Sequence, residues 1–527
     1  MAVKLNGIFK DNMIFQWGAE LRVFGVADNV TVIRCDLIEN GEVIATGSCG
    51  TEEDGSFLVA VSPTDEPGGP YELAIYENDI EQKRLNNVYG GEVWLAAGQS
   101  NMEYPLGRSE FARYVIPKII NSEIRFYNVP VAGAMDEAQA EAEEKSEWVE
   151  INADTAYNMT AVGYYFAHAL ETRLDAKIGI IGCYLGGTSI DCWQSIDSLL
   201  STPEGKNYID SFDEEASVYR TEEEYDEASA EYEKEAGEYE AKVAELLKED
   251  PYMTYQQTEE VLGPGVWPPP VGMKALRRPG SLFECMLLRV APYTLRGVIY
   301  YQGETDADGH QHDYGRVFKT LIAEWRSVFF DPDLPFIFCQ LPMFISKERK
   351  YMGYDDMSWP VVREQQQIVA IDVPEVYMAV IADCGEFDNV HPADKKTPGE
   401  RLALLAEKFV YGFENIDAVA PYIIDARRGE GVEVTFGGDY MLLNLSADFG
   451  GNESGFEIAG EDGEFHPADA SVDFDGRTVL VSCPVVEYPV KVRYAYYSYG
   501  PTPLHAQNGL TATPFQVRID KELGSMN

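Results

Sequence analysis

Five uninterrupted apolar runs in the middle of the chain constrain its fold more than any other feature. Each run is followed by a loop and then by a helical pattern. Runs that are apolar without alternation are typical of strands buried on both faces. We therefore predict an α/β domain in which a parallel sheet lies between helices. The five runs are VWLAA at 93–97, KIGIIGCY at 177–184, RGVIYY at 296–301, PFIFCQL at 335–341 and VYMAVIA at 376–382.

The two ends of the chain carry runs of another kind. LRVFGV and FLVAV near the start, and VEVTF and VKVRYAYY near the end, alternate between apolar and other residues and are separated by turn signals. Such alternation predicts strands with one buried face. At about 150 residues per domain, 527 residues are enough for three or four domains. We predict an all-β domain over 1–88, an α/β domain over 89–410 and a second all-β domain over 411–527.

A helical insertion is predicted inside the α/β domain, over about 200–275. Residues 213–250 are rich in glutamate, and Tyr225, Tyr232 and Tyr239 recur every seven residues. This spacing predicts an amphipathic helix with a narrow apolar stripe. Two interpretations stay open. The stripe packs on the α/β domain, or it forms a contact in a homodimer or a lid over a site.

The charge of the chain excludes two classes of partner. Lysine and arginine total 41 against 89 aspartates and glutamates, a net charge of -48 at pH 7. Such a chain repels nucleic acids and anionic membranes. No stretch reaches the roughly 18 consecutive apolar residues of a membrane span. The opening residues show no basic stretch followed by an apolar run, so we expect a cytoplasmic protein.

The eight cysteines are predicted to be reduced core thiols. No two of them have the C-x-x-C spacing of a zinc or redox site. Asp306-x-Asp308-Gly309 has the start of a calcium loop, but Val317 stands where the loop requires a bidentate glutamate. We therefore do not predict that the nearby His310 and His312 bind a metal, and we expect neither a metal nor a cofactor.

Chemically useful residues follow four of the five apolar runs. Ser100 lies in GQSNM, Gly187 in LGGTS, Gln302 in QGE, and Asp388 and His391 in DNVHP. In open parallel sheets, ligands bind at the carboxyl ends of the strands. We therefore expect these five residues to converge on one site.

Together these residues form the set that ester hydrolysis through an acyl-enzyme needs. Ser100 is the predicted nucleophile, His391 the general base and Asp388 the group that orients the imidazole. The predicted oxyanion donors are the backbone N–H groups of Ser100 and Gly187 and the side-chain amide of Gln302. Each such donor typically contributes about 2.7 to 4 kcal/mol. Activity is expected to rise with pH through about 6 to 7 as the imidazole becomes neutral.

His391 is the histidine chosen because it alone follows a predicted parallel strand with a carboxylate nearby. The next helix is predicted to begin at Thr397-Pro398-Gly399-Glu400, a capping box with proline at its first position. A helix anchored there would hold the Asp388–His391 loop rigid.

Longer motifs resemble a known family. The G-x-S-x-G elbow of α/β-hydrolases is absent, because Met102 stands where the second glycine belongs. Instead, the sequence closely resembles the sialate O-acetylesterase family of the SGNH (GDSL-like) hydrolase superfamily. The resemblance rests on GGEVWLAAGQSNMEYPL at 90–106, GCYLGGTSIDCW at 182–193, RGVIYYQGETDA at 296–307, YGRVFKTLIAEWR at 314–326, VREQQ at 362–366 and DNVHPADKKTPGERLA at 388–403.

The resemblance implies a fold, an activity and a set of site residues. The fold would be a flavodoxin-like, three-layer SGNH catalytic domain flanked by all-β domains of sandwich or jelly-roll type. The activity would be removal of acetyl groups from sugar hydroxyls without a cofactor. Ser100, Gly187, Gln302, Asp388 and His391 match the family's catalytic positions. Further substrate-binding candidates are Gln99, Asn101, Glu284 and Glu304. Independently of the resemblance, Trp267 in the loop GPGVWPPP at 263–270 is a candidate as a loop aromatic that either meets a sugar ring or packs within the protein.

Two departures from the family pattern bear on the substrate. Thr305-Asp306 replaces a serine-asparagine pair, and Glu284 stands where an asparagine is usual. A negative charge near the pocket disfavours a sialic acid carboxylate, so we expect neutral acetylated oligosaccharides ahead of sialic acid. Two other functions stay open: a carbohydrate-binding protein whose esterase site has decayed, and a serine hydrolase of other small esters, thioesters or lipids.

Overall fold

The computed structural model describes residues 3–120, 122–446 and 454–520. The protein is of the mixed α/β type and contains several β-sheets. It divides into two compact units. The first comprises Met1–Tyr300 and Arg316–Phe336, and the second comprises Tyr301–Gly315 and Ile337–Asn527.

The start of the first unit is all β, as predicted. Strands β1, β3 and β6 form one antiparallel sheet, and β4 pairs antiparallel with both β5 and β7. In β6, Phe57, Val59 and Val61 are buried while the residues between them are exposed. The strands are β1 (Val3–Leu5), β2 (Ile14–Gln16), β3 (Leu21–Ala27), β4 (Val32–Glu39), β5 (Glu42–Gly50), β6 (Ser56–Val61) and β7 (Gly68–Glu77).

A single long strand, β8 (Ile80–Gly98), leads from this region into the central sheet. Its first part pairs antiparallel with β7, and its last seven residues, from Glu92, pair parallel with β11 (Ile178–Tyr184). The strand runs without a break through residues 88 and 89, where we place a domain boundary. The division into three domains stays a prediction.

The central strands of the first unit confirm the parallel prediction where their pairing is defined. Strand β9 (Ile124–Asn128), which the sequence analysis missed, pairs parallel with β11, and β10 (Val149–Glu150) pairs antiparallel at the edge. The strand order is β10-β9-β11-β8-β12, with β12 at Gly297–Tyr301. All seven residues of β11 are buried.

Along the chain, helices lie between these strands and after them. They are α1 (Ser100–Glu103), α2 (Ala112–Val115), α3 (Glu137–Lys145), α4 (Ala161–Glu171), α5 (Ile196–Leu200), α6 (Pro203–Ala216), α7 (Glu222–Glu249), α8 (Tyr255–Leu262), α9 (Leu288–Val290) and α10 (Tyr314–Val328).

The helical insertion is present, but the helix predicted over 213–250 is broken. The chain leaves α6 at Ser217, and Thr221 caps α7 by accepting a hydrogen bond from the Glu224 N–H. The tyrosine stripe of α7 packs on the loop that follows α8. The hydroxyls of Tyr232 and Tyr239 donate to loop carbonyls at 3.3 Å and 2.9 Å.

The second unit holds two further strands and a β-rich end. Strands β13 (Phe336–Cys339) and β14 (Val376–Ala379) are neighbours in one sheet. The helices here are α11 (Lys347–Tyr351), α12 (Ser358–Asp372) and α13 (Lys396–Leu405).

Between Tyr422 and Arg518, the described residues form antiparallel strands, as the alternating pattern predicted. They form the sheets β15-β16-β21-β20, β17-β23 and β19-β18-β22-β24. Their bounds are β15 (Tyr422–Arg428), β16 (Val432–Gly437), β17 (Leu443–Leu445), β18 (Phe456–Ala459), β19 (Phe465–Pro467), β20 (Asp469–Val472), β21 (Thr478–Ser482), β22 (Lys491–Tyr494), β23 (Leu504–Ala506) and β24 (Phe515–Arg518).

Two sequence expectations concern the whole chain. All eight cysteines are free, as predicted, but the prediction that they lie in the core is confirmed for six of them and is wrong for Cys49 and Cys483. Cys49 and Cys483 are half-buried, and the remaining six are buried, namely Cys35, Cys183, Cys192, Cys285, Cys339 and Cys384. Within the described ranges, no helix combines the length and the apolar character that crossing a membrane requires.

Candidate active site

Ser100 lies on a sharp turn between strand and helix. Strand β8 ends at Gly98, whose φ of 138° suits glycine, and α1 begins at Ser100. The N–H groups of Met102 and Glu103 both donate to the Gln99 carbonyl at 2.9 Å, which closes the turn. The side chain of Ser100 is half-buried, whereas its neighbours Gln99 and Asn101 are buried. The serine is therefore held by a rigid backbone.

The glycine loop after β11 lies directly against Ser100. The Leu185 N–H donates to the Gly98 carbonyl at 3.2 Å, which ties the ends of the two strands together. A Cβ added to Gly186 would lie 3.1 Å from the Ser100 Cβ. The structure thus brings together the predicted nucleophile and the loop that carries the predicted oxyanion donor Gly187.

Gly187 is required here for reasons that the sequence analysis did not anticipate. Its φ of 66° lies in the left-handed region, which favours glycine. A Cβ built on Gly187 would overlap the indole ring of Trp267. An aromatic side chain from the helical insertion therefore lies directly against the predicted oxyanion donor.

Two charged side chains clamp the Gly186 peptide group, and sequence reasoning missed both. The Glu103 carboxylate accepts from the Gly186 N–H at 2.6 Å, and Arg277 Nε donates to the Gly186 carbonyl at 2.9 Å. Burial raises the pKa of Glu103 and lowers the pKa of Arg277. Glu103 could have been found, because it follows Ser100 by three residues and shares a helical face with it. No local signal marks Arg277.

Gln302, in the second unit, is completely buried directly after β12. Its backbone carbonyl accepts from the Tyr314 hydroxyl at 3.1 Å and from Gln366 Nε2 at 3.2 Å. Its side-chain Nε2 donates to the carboxylate of Asp306, which is also completely buried. The residue that departs from the family pattern therefore orients the predicted oxyanion amide.

His391 lies in a hydrogen-bonded loop after β14. Its backbone N–H donates to Asn389 Oδ1 at 3.0 Å, and Asn389 Nδ2 donates to Glu386 Oε2 at 2.8 Å. Burial, reinforced by the nearby Lys395 ammonium group, lowers the pKa of His391 to about 4. The imidazole is therefore neutral at neutral pH, as a general base must be.

Asp388 has a different hydrogen-bond partner from the one we expected. Its carboxylate, on an exposed residue with a φ of 57°, accepts from the backbone N–H of Lys347 at 2.7 Å. The acceptor atom is Oδ1, and the donor is the first residue of α11. Its role as the orienting group stays a prediction.

Lys395 is a buried cation beside the histidine loop, and sequence reasoning missed it. Its side chain is 1% exposed, and Nζ donates to the Pro392 carbonyl at 2.5 Å. Burial lowers the pKa of Lys395 to about 8 against the opposing effect of carboxylates that include Glu304. Glu304 is itself buried, so this substrate-binding candidate interacts electrostatically with Lys395.

The predicted capping box at the start of α13 is wrong. The helix begins at Lys396, and Lys395, which precedes it, makes no side-chain capping bond. The Asp394 carboxylate accepts instead from both the backbone N–H of Thr397 at 3.0 Å and its hydroxyl at 2.6 Å. An aspartate one turn earlier therefore supplies the acceptor that we assigned to Thr397.

The remaining candidates differ in exposure. Trp267 is 57% exposed at the glycine loop, and Glu284 is exposed on a π-helical turn. His310 Nδ1 lies 3.3 Å from an Asp313 carboxylate oxygen. The part of the chain that the structure describes contains no group of three or more His, Cys, Asp or Glu placed to hold a metal ion. The expectation that no cofactor is needed stays a prediction.

Comparison with known proteins places this site in a family. Residues 90–249 and 271–407 match the model of a carbohydrate esterase family described as sialic acid-specific acetylesterase. The matched residues make up more than half of the chain and include every predicted catalytic residue. The protein is thus a carboxylic ester hydrolase. It belongs to the carbohydrate esterase, sialic acid-specific acetylesterase family, and the resemblance drawn from the sequence is confirmed.

Individual relatives agree with this assignment. The chain is 26% identical to mouse sialate O-acetylesterase over 425 residues, which cover 77% of this chain and 72% of the mouse protein. It is 24% identical to the human sialate O-acetylesterase over 387 residues, covering 69% and 62% of the two chains. The crystal structure of a carbohydrate acetylesterase from Xanthomonas citri is similar with a TM-score of 0.73 and 26% identity, covering 98% of this chain and 99% of that one.

Proposed function

We propose that this protein is a carbohydrate O-acetylesterase that removes acetyl groups from sugar hydroxyls through an acetyl-enzyme on Ser100. The observation that carries the proposal is the contact between Ser100 and the clamped Gly186–Gly187 loop. A hydroxyl on a rigid turn beside a half-buried glycine loop is an arrangement that suits acyl transfer. Family membership supports the same activity.

In the proposed reaction, Ser100 Oγ attacks the acetyl carbonyl carbon while His391 accepts its proton. The oxyanion takes hydrogen bonds from the N–H groups of Ser100 and Gly187 and from Gln302 Nε2, each donor contributing about 2.7 to 4 kcal/mol. The imidazolium then protonates the departing sugar oxygen. Water, deprotonated by His391, attacks the acetyl-serine and releases acetate. The convergence of Ser100 with His391 and Gln302 is part of this proposal.

Asp388 keeps the orienting role in the proposed mechanism. Its hydrogen bond from Lys347 uses Oδ1. Oδ2 is the atom that would accept from Nδ1–H of His391, fixing the tautomer that leaves Nε2 free for the serine proton.

The proposed architecture of the catalytic domain is the three-layer SGNH fold. Support comes from the parallel β9-β11-β8 arrangement, with Ser100 after β8 and Gly187 in the loop after β11. Ligand sites in parallel sheets lie at such strand ends.

An O-acetylated sialic acid is the first proposed substrate, and a neutral acetylated oligosaccharide is the second. The expectation of neutral sugars depended on a negative charge at Glu284. This residue is exposed, where solvent and salt screen a charge within about 8 to 10 Å. The family description favours sialic acid.

We also propose a cytoplasmic location and a homodimer. Gel filtration tests the homodimer.

Ser100→Ala tests the proposal directly. We expect acetate release from 4-nitrophenyl acetate and from acetylated sugars to fall at least about a thousandfold, with an unchanged thermal melt. Ser201→Ala, which alters an exposed serine, is the matched control and should leave activity intact. Retention of more than a few per cent of activity by Ser100→Ala would refute the proposed mechanism.

A further inference from the structure

The helical insertion places an exposed tryptophan against the glycine loop. Trp267 lies in the loop after α8, and its ring fills the space that a Cβ on Gly187 would occupy. The side chain is nevertheless 57% exposed. An aromatic ring that touches the site and yet remains open to solvent has room for a ligand.

Two sets of hydrogen bonds hold the insertion that carries this tryptophan. Tyr232 and Tyr239 of α7 donate to the carbonyls of Val266 and Gly263, on the stretch that leads into Trp267. The insertion is also tied to the turn after α1. There, Arg108 donates to the Thr258 hydroxyl of α8 at 2.9 Å.

Arg277 supports the ring from one side. Its guanidinium carbon lies 5.2 Å from the Trp267 ring centroid, a cation–π distance. The same side chain donates to the Gly186 carbonyl. Arg277 therefore couples the position of the indole to the position of the oxyanion loop, and it is a positioning residue in this arrangement.

The geometry leaves one kind of surface available at the site. The Trp267 ring lies against Gly187 and near the Arg277 guanidinium and is still 57% exposed, so part of its aromatic surface is open beside the glycine loop. A large, rigid aromatic surface of this kind contributes binding energy by packing against an apolar partner. The C–H face of a sugar ring is such a partner, whereas a small aliphatic ester such as ethyl acetate has no ring to place there.

We propose that Trp267 is a specificity-determining residue that stacks on the sugar ring of the acetyl ester, so that the insertion formed by α6, α7 and α8 sets the substrate range. This inference rests on the proposed function and deepens it. In this inference the helical insertion selects the substrate at the site itself. This is a specific form of the interpretation in which the insertion is a lid over the site.

The test compares two kinds of ester in Trp267→Ala and Trp267→Phe. For an O-acetylated sialic acid and an acetylated xylo-oligosaccharide, Trp267→Ala is expected to lower kcat/KM about tenfold to a hundredfold on the substrate that wild type prefers. For ethyl acetate, which has no ring to stack, the loss of kcat/KM should be at least about fivefold smaller. Trp267→Phe keeps an aromatic face and should recover most of the loss. Met273→Ala, an exposed residue of the same segment, is the matched control.

The outcomes separate this inference from the proposed function. Equal losses on both kinds of ester would show that Trp267 only supports the oxyanion loop, and no loss on sugar esters would show that no stacking occurs. Either result overturns the inference while leaving the esterase activity established. A wild-type enzyme that cleaves 4-nitrophenyl acetate but no acetylated sugar would overturn the proposed function, and the inference with it. Thermal melts confirm that each variant is folded.

Discussion

Removal of the Glu103 carboxylate should slow catalysis without weakening substrate binding. This side chain accepts the Gly186 N–H at 2.6 Å and does not itself provide an oxyanion donor. In Glu103→Ala, the Gly186 N–H loses its hydrogen bond to the Glu103 carboxylate. Hydrogen bonds to charged groups contribute about 1.5 to 3 kcal/mol. Arg277 still holds the Gly186 carbonyl, but the N–H side of the clamp is lost, and we expect the energy of this bond to be lost from the transition state.

The expected size of the effect follows from this energy. Since about 1.4 kcal/mol corresponds to a tenfold change in rate, kcat should fall about tenfold to a hundredfold in Glu103→Ala. Glu103→Gln keeps an acceptor oxygen and should lose less than about tenfold. The assay is steady-state hydrolysis of 4-nitrophenyl acetate, with kcat and KM determined separately.

A matched control distinguishes positioning from general destabilisation. Glu141→Ala removes an exposed glutamate whose ion pair with Lys145 lies on the surface of α3, and it should leave kcat unchanged. A Glu103→Ala enzyme with normal kcat, or one in which only KM rises, would refute the reasoning that the clamp shapes the oxyanion loop.

Three further predictions concern the second unit. Because the pKa of His391 is lowered to about 4, activity should be lost only as pH falls through about 4. The rate should therefore be flat from pH 5 to 8, which revises our expectation of a rise through pH 6 to 7. Lys395→Met removes the cation that helps to lower this pKa, so the acidic limb of kcat/KM should move to higher pH, and an unmoved limb would contradict the assignment. Asp306→Ala should lower kcat about tenfold or more, because the Gln302 side-chain amide loses its hydrogen bond to the Asp306 carboxylate. Asp306→Asn should retain most activity. Equal rates in both variants and wild type would show that Gln302 does not need this hydrogen bond.

Local sequence rules predicted the elements that carry the site. Uninterrupted apolar runs gave β8 and β11, because burial on both faces removes the alternation that a half-exposed strand would show. The polar residues after these strands led to Ser100 and Gly187, which the structure places on adjoining loops. Strand β9 was missed because IRFYN is short and carries a charged residue, Arg125, whose burial depends on partners distant in sequence.

Contacts between distant segments were beyond these rules. Trp267 was a candidate only as a loop aromatic, and nothing in the spacing of residues indicated that its ring meets Gly187. Arg277 has no local motif because its function lies in a bond to a backbone carbonyl elsewhere in the chain. The Asp388 carboxylate bonds to Lys347 for a related reason, since a free backbone N–H at the start of α11 competes for it.

The most direct test of the account is covalent trapping of the nucleophile. A fluorophosphonate that reacts with activated serines should form one adduct, which peptide mass spectrometry should locate on Ser100. In His391→Ala, the rate of this labelling should fall at least about a thousandfold, because no other group takes the serine proton. An adduct on a different residue, or equal labelling rates with and without the imidazole, would contradict the claim that Ser100 and His391 work as a pair.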